Sequence, residues 1–107
     1  MSLEVSGIEA AIQNTKVLVF SKSYCPFAGA TKQMFQQAGV EMTIFELDQM
    51  GNGGDLQNKL AQLTNQRTVP NVFIGGKHVG GNDNCQAAKS NGQLKTMLTE
   101  AGVSHNL

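Results

Sequence analysis

The sequence predicts an α/β fold: a four-stranded mixed sheet flanked by helices on both faces. Three observations carry this. Short runs of branched and aromatic residues alternate with longer stretches in which apolar residues recur every three or four positions. The first two strand-like runs are joined by a helix, and such a crossover implies parallel pairing. The last two are joined by Gly75-Gly76, the mark of an antiparallel hairpin. At 107 residues, with no linker, repeat or low-complexity tract, the chain reads as one domain, residues 1–107.

Each element follows in order. Leu3 to Gln13 has Val5, Ile8 and Ile12 at helical spacing, ended by Asn14 and Thr15. "KVLVFS", Lys16 to Ser21, reads as a buried strand. Pro26 opens a helix, because its missing N–H would be unpaired there in any case. Phe27, Ala30, Met34, Phe35 and Ala38 continue the helix, and Gly39 closes it. "EMTIFELD", Glu41 to Asp48, alternates as a strand, and "QMGNGG" to Gly54 is a loop. Leu56, Leu60 and Leu63 mark the inward face of a third helix. Val72 to Ile74 and His78-Val79 form the hairpin. Asp83 is expected to cap a short helix starting near Asn84. Ser90-Asn91-Gly92 interrupts it, and Gln93 to Ala101 resumes with Leu94, Met97 and Leu98 inside.

Eight basic residues balance eight acidic ones, which gives no electrostatic case for nucleic acid or an acidic membrane surface. No stretch approaches the roughly 18 apolar residues that span a bilayer. Two cysteines do not make a disulfide framework. The first residues are acidic rather than basic and apolar, unlike a secretory leader. A reducing, cytoplasmic setting is the expectation, an organellar form with a removed transit peptide being the alternative.

Three stretches carry chemistry. In "SKSYCPFAGATKQ", Cys25 precedes Pro26 at the seam of a strand and a helix. Free backbone N–H groups and the positive end of the helix dipole then favour negative charge on the sulfur, and Lys22 adds a nearby cation. The bland reading is a buried structural cysteine. In "TVP", Thr68 to Pro70, either a cis or an ordinary trans proline opens a strand; the cis form would offer the Val69 N–H and C=O to an extended peptide. In "GGNDN", Gly80 to Asn84, glycines precede a helix start that can receive a carboxylate, while Asp83 can receive an ammonium; a plain turn is the alternative.

Taken together, the three stretches resemble a glutaredoxin. "CPFA" resembles the family's Cys-Pro-Tyr-Cys site with two changes, and "LTNQRTVPNVFIGGKHVGGND" resembles its Arg-Thr-Val-Pro to Gly-Gly-Asp block closely. The likeness runs from about Lys16 to Leu98 and implies a thioredoxin-like fold with Pro70 in cis. It implies a glutathione-dependent thiol–disulfide oxidoreductase in which Cys25 is the catalytic nucleophile. Lys22 and Gln57 would meet the glycine carboxylate of glutathione. Phe27 would flank the sulfur, Thr68, Val69 and Pro70 would hold the cysteinyl backbone, and Asp83 and Asn84 the γ-glutamyl end. Arg67 matches a frequent family arginine.

Ala28 stands where a resolving cysteine would be, so dithiol activity is not expected. Reduction of glutathione mixed disulfides needs only one enzyme sulfur. The implied partners are therefore glutathione and glutathionylated proteins or small disulfides, met by a monomer. A rival reading resembles those glutaredoxins that hold a [2Fe-2S] cluster between two chains, with Cys25 of each chain and two glutathione thiols as ligands. Pro26 stiffens that loop, and dedicated cluster carriers usually read Cys-Gly-Phe-Ser. A redox-inert adaptor is disfavoured by the retained Cys25, Lys22 and glutathione-contact set. Cys85 is open to four roles: remote resolving cysteine, glutathionylation site, half of an intermolecular disulfide, or small apolar residue under a helix. His78, on a strand surface, and His105, in an exposed tail, make no metal pattern with the cysteines.

Overall fold

The computed structural model describes residues 2–107. A 3₁₀ turn at Val5–Gly7 leads into α1 (Ile8–Asn14), then β1 (Val17–Ser21), α2 (Pro26–Gln37) and β2 (Thr43–Glu46). A second 3₁₀ turn, Leu47–Gln49, precedes α3 (Gly53–Thr64). The hairpin β3 (Asn71–Ile74) and β4 (Lys77–Gly80) is followed by α4 (Asn82–Ser90) and α5 (Gln93–Glu100). The strands lie in the order β2-β1-β3-β4. β1 runs parallel to β2 and antiparallel to β3, and β3 runs antiparallel to β4.

β1 is buried on both faces, and its alternation builds two cores. Val17 and Val19 point one way, joining Val72 and Ile74 against Met34 and Phe35 of α2, Cys85 and Ala88 of α4, and Leu94 and Leu98 of α5. Leu18 and Phe20 point the other way, joining Phe45 and Phe73 against Ile8 and Ile12 of α1 and Leu56 and Leu60 of α3. Phe20 stacks on Phe45 with ring centres 5.7 Å apart and meets Phe73 edge-on at 6.1 Å. Fully burying side chains of this size is worth about 1.5–3 kcal/mol each, so β1 anchors both layers. The loop after β1 therefore leaves a fixed base, and that loop carries Cys25.

Several expected boundaries move. The strand expected over Glu41–Asp48 is only Thr43–Glu46, because Leu47–Gln49 turns to bury Leu47 in the second core. The expected loop to Gly54 ends sooner: α3 starts at Gly53, where a Cβ would strike the Leu47 carbonyl oxygen and only glycine fits. Leu63 is exposed rather than inward, since Leu56 and Leu60 already cover the sheet there. Asp83 does not cap α4. The helix begins at Asn82 with Gly81 as N-cap, and Asn84 reaches back to accept from the Gly81 N–H at 3.1 Å. Gly75 and Gly76 adopt positive φ, as the two-residue hairpin requires. Among the described residues no helix is long and apolar enough to cross a membrane.

Candidate functional site

Cys25 is the N-cap residue of α2, in extended conformation, with Pro26 as the first helical residue. The helix ladder opens with the Gly29 N–H donating to the Cys25 carbonyl at 3.0 Å. The N–H groups of Phe27 and Ala28 come before that first bond, so they have no carbonyl of the helix to meet. The sulfur itself is half-buried and donates to the Val69 carbonyl across 3.7 Å. The Val69–Pro70 peptide is cis. Two stretches 44 residues apart in sequence thus meet at the thiol. Ala28, at the position of a second sulfur, is fully buried.

Beside the thiol runs a groove of about 460 Å³. Its walls bring together Phe27, Thr68, Val69, Pro70, Asp83 and Asn84, six of the residues expected from the sequence. Gln66, Gly81 and Asn82 complete it. Phe27 is 63% exposed, so its ring is free to lie against a ligand in the groove. Asp83 and Asn84 lie exposed in the first turn of α4, where the helix dipole favours an anion.

Lys22 and Gln57 are not among the groove walls. Lys22 makes no ion pair among the described residues, and its carbonyl accepts the Cys25 N–H at 3.0 Å. Gln57, on α3, donates its amide to the Arg67 carbonyl at 2.6 Å. Its contact is thus with the loop that leads to Thr68. Arg67 is exposed.

Three side chains that the sequence did not single out hold these segments together. Gln66 donates from its amide to the Thr68 carbonyl at 3.1 Å and to the Pro70 carbonyl at 2.9 Å, bracketing Val69. Asn82 accepts from the buried Thr31 hydroxyl at 2.8 Å, tying the start of α4 to α2. Asp48 accepts from the Ser23 N–H at 2.9 Å and from the Ser23 hydroxyl. The Gln66 contacts lie within its own loop, two and four residues away; those of Asn82 and Asp48 join residues that only the tertiary fold makes neighbours.

The two cysteines separate sharply. Cys85 is wholly buried under α4, and burial pushes its thiol from an ordinary 9.0 up to about 12. Of the four readings open to Cys85, this burial fits the small apolar residue packed under a helix. His78 bonds to the Asn71 side-chain oxygen at 2.8 Å, with its pKa lowered by partial burial. His105 is not a free tail residue; its ring meets the Thr99 hydroxyl at 2.9 Å.

The glutaredoxin family model matches residues 17–79. A glutaredoxin of Vernicia fordii is 50% identical over 92 residues, covering 86% of this chain and 88% of that protein. Glutaredoxin-C6 of rice, Oryza sativa, is 50% identical over 101 residues, covering 94% of this chain and 90% of that protein. Among solved structures, a buckwheat glutaredoxin–glutathione complex superposes with a TM-score of 0.88 at 43% identity, covering 92% of this chain and 89% of that one. With the family's motifs gathered around one half-buried sulfur on a thioredoxin-like sheet, and with these likenesses spanning nearly its whole length, the chain belongs to the glutaredoxin family.

Proposed function

We propose that this glutaredoxin reduces glutathione mixed disulfides by a one-sulfur route. The observation that carries the reading is the state of its sulfurs. Cys25 stands half-exposed at a helix start beside Val69, Ala28 replaces a resolver, and Cys85 is sealed in the core. The buckwheat complex supports glutathione as the ligand. In the proposed pose the cysteinyl backbone of glutathione pairs with Val69. Its γ-glutamyl end meets Asp83, Asn84 and the start of α4, and its glycine carboxylate meets Lys22, with Gln57 behind it. Phe27 covers the sulfur from the groove side.

The reaction has two exchanges. The Cys25 thiolate attacks the glutathione sulfur of a mixed disulfide. A Cys25–glutathione disulfide forms as the original S–S bond breaks, and the substrate leaves as a thiolate that takes a proton from water. A second glutathione thiolate then attacks the glutathione sulfur of that adduct. Glutathione disulfide leaves, and Cys25 is returned as thiolate. The net reaction consumes one reduced glutathione per mixed disulfide and yields the substrate thiol and glutathione disulfide, and ping-pong kinetics follow. One chain supplies every group, so a monomer suffices. The demand for reduced glutathione assigns it to a reducing compartment such as the cytoplasm.

The test is turnover of a small glutathione mixed disulfide with reduced glutathione as sole reductant. The chain is expected to turn over and Cys25→Ser to lose all activity. Absence of turnover in the unaltered chain sinks the reductase reading. A brown, glutathione-dependent dimer in the same sample would then make cluster binding the better account.

A further inference from the structure

Lys22 to Cys25 link β1 to α2 and carry both the nucleophile and the cation assigned to glutathione. Among the described residues this segment has one side-chain tether to a distant part of the chain besides the Cys25 thiol itself, and that tether is Asp48. One carboxylate oxygen accepts from the Ser23 backbone N–H at 2.9 Å, and the other accepts from the Ser23 hydroxyl. Two bonds to one rigid group fix the orientation of Ser23 as well as its place. Charge-assisted bonds of this kind are roughly twice as strong as neutral ones. They hold the Asp48 carboxyl below its ordinary pKa, with a smaller contribution from the charge of Lys22.

The base of the tether is firm. Leu47, the residue before Asp48, is buried with Phe20 and Phe45 in the second core. From Ser23 the constraint reaches the sulfur within one turn. The Cys25 N–H donates to the Lys22 carbonyl at 3.0 Å, and the Cys25 carbonyl receives the first bond of α2. A released Ser23 would let the Lys22–Cys25 turn shift against α2 and the Val69 carbonyl. Sulfur exchange needs the attacking sulfur in line with the bond it breaks, and a displacement of about 1 Å can cost on the order of 100-fold in rate.

We infer that Asp48 is a positioning residue for the reaction: through Ser23 it fixes the loop that presents Cys25 and Lys22 to glutathione. This rests on the proposed reductase function, so the test has one readout that does not require turnover.

Asp48→Ala, Asp48→Asn and Ser23→Ala are compared with the unaltered chain. The readouts are kcat/KM for a glutathione mixed disulfide, hydrogen exchange at the Cys25 amide, and the melting temperature. Asp48→Ala is expected to lower kcat/KM about tenfold, well within the cost of such a displacement, and to speed Cys25 amide exchange, while the melting temperature moves little. Asp48→Asn keeps an acceptor for the Ser23 N–H and gains an amide that can donate to the Ser23 oxygen. It is expected to restore most of the rate. Ser23→Ala keeps the backbone bond and is expected to fall between them.

Wild-type rate and unchanged Cys25 exchange in Asp48→Ala would overturn the inference. So would Asp48→Asn as impaired as Asp48→Ala, since charge rather than hydrogen bonding would then be at work. Should Asp48→Ala fail to fold, unchanged exchange at Cys25 in Ser23→Ala is the overturning result. An inactive unaltered chain would strike the reductase reading, and amide exchange would still decide whether Asp48 fixes the loop.

Discussion

Cys25 caps the first residue of α2, and Cys85 stands one turn inside α4, its N–H already bonded to the Gly81 carbonyl at 3.0 Å. Both therefore lie near the positive end of a helix dipole, which favours a thiolate. Their surroundings oppose each other. The half-buried Cys25 sulfur meets the carbonyl of Val69, a groove residue, whereas the Cys85 side chain turns inward among Val17, Val19, Phe35 and their neighbours. At Cys85 the loss of solvation outweighs whatever the helix start supplies, and the thiol rises to about 12. The comparison teaches that a helix start does not by itself make a cysteine reactive: the chain must also leave the sulfur a way out. A shift of one turn along the helix reverses the outcome.

The largest expected effect tests that reversal directly. In the native protein at pH 8, iodoacetamide should modify Cys25 and spare Cys85. A thiol moved from 9.0 to about 12 has about a thousandfold less thiolate at that pH. Enclosure slows it further. Peptide mapping after timed quenching gives both rates from one sample. Comparable rates at the two positions would break the comparison. In urea the difference should vanish, because both thiols then sit in water.

The second effect is on stability at alkaline pH. The folded Cys85 thiol keeps its proton between pH 9.0 and about 12, where the unfolded thiol gives it up. Stability from this group is complete below pH 9.0 and is lost as pH rises toward 12, by up to about 1.4 kcal/mol per pH unit. Urea midpoints at pH 8, 9.5 and 10.5 measure the decline, and Cys85→Ala should flatten it relative to the unaltered chain. Every other ionisable group is common to both proteins, so the difference isolates Cys85. Parallel declines would place the alkaline loss elsewhere.

What the sequence disclosed about these two sites follows the same division. Pro26 after Cys25, the Thr-Val-Pro run and the Gly-Gly-Asn-Asp turn are local signals, because proline and glycine restrict or release the backbone whatever lies around them. They placed the start of α2 and the turn before α4, whereas the cis state of Pro70 and the set of residues along the groove were what the glutaredoxin resemblance implied. The continuous apolar run of Val17 to Phe20 likewise announced a buried strand. Thr31, Asn82 and the Ser23–Asp48 contact gave no such signal. The Thr31–Asn82 bond spans 51 positions and the Ser23–Asp48 bonds span 25. Polar residues at such separations announce nothing until the sheet brings them together. The cap of α4 was misread for a related reason. Asp83 is a common capping residue, yet Gly81 supplies the extended cap backbone and Asn84 closes the turn from within.

That closing bond offers the smallest and most local effect. No side chain caps α2 at Cys25, whereas Asn84 accepts the Gly81 N–H and closes the first turn of α4 directly before Cys85. Asn84→Ala removes the acceptor and leaves the Gly81 N–H to water, at a cost of about 1 kcal/mol. If that turn is what seals Cys85, local opening becomes about fivefold more frequent, since 1.4 kcal/mol is a factor of ten. Alkylation of Cys85 should then quicken by the same factor when opening limits it, with the Cys25 rate in the same tube as internal reference. A loss of stability without faster Cys85 modification would show that the thiol is guarded by global unfolding. The two helix starts would then differ in burial alone, and the closure of α4 would have no part in keeping its cysteine silent.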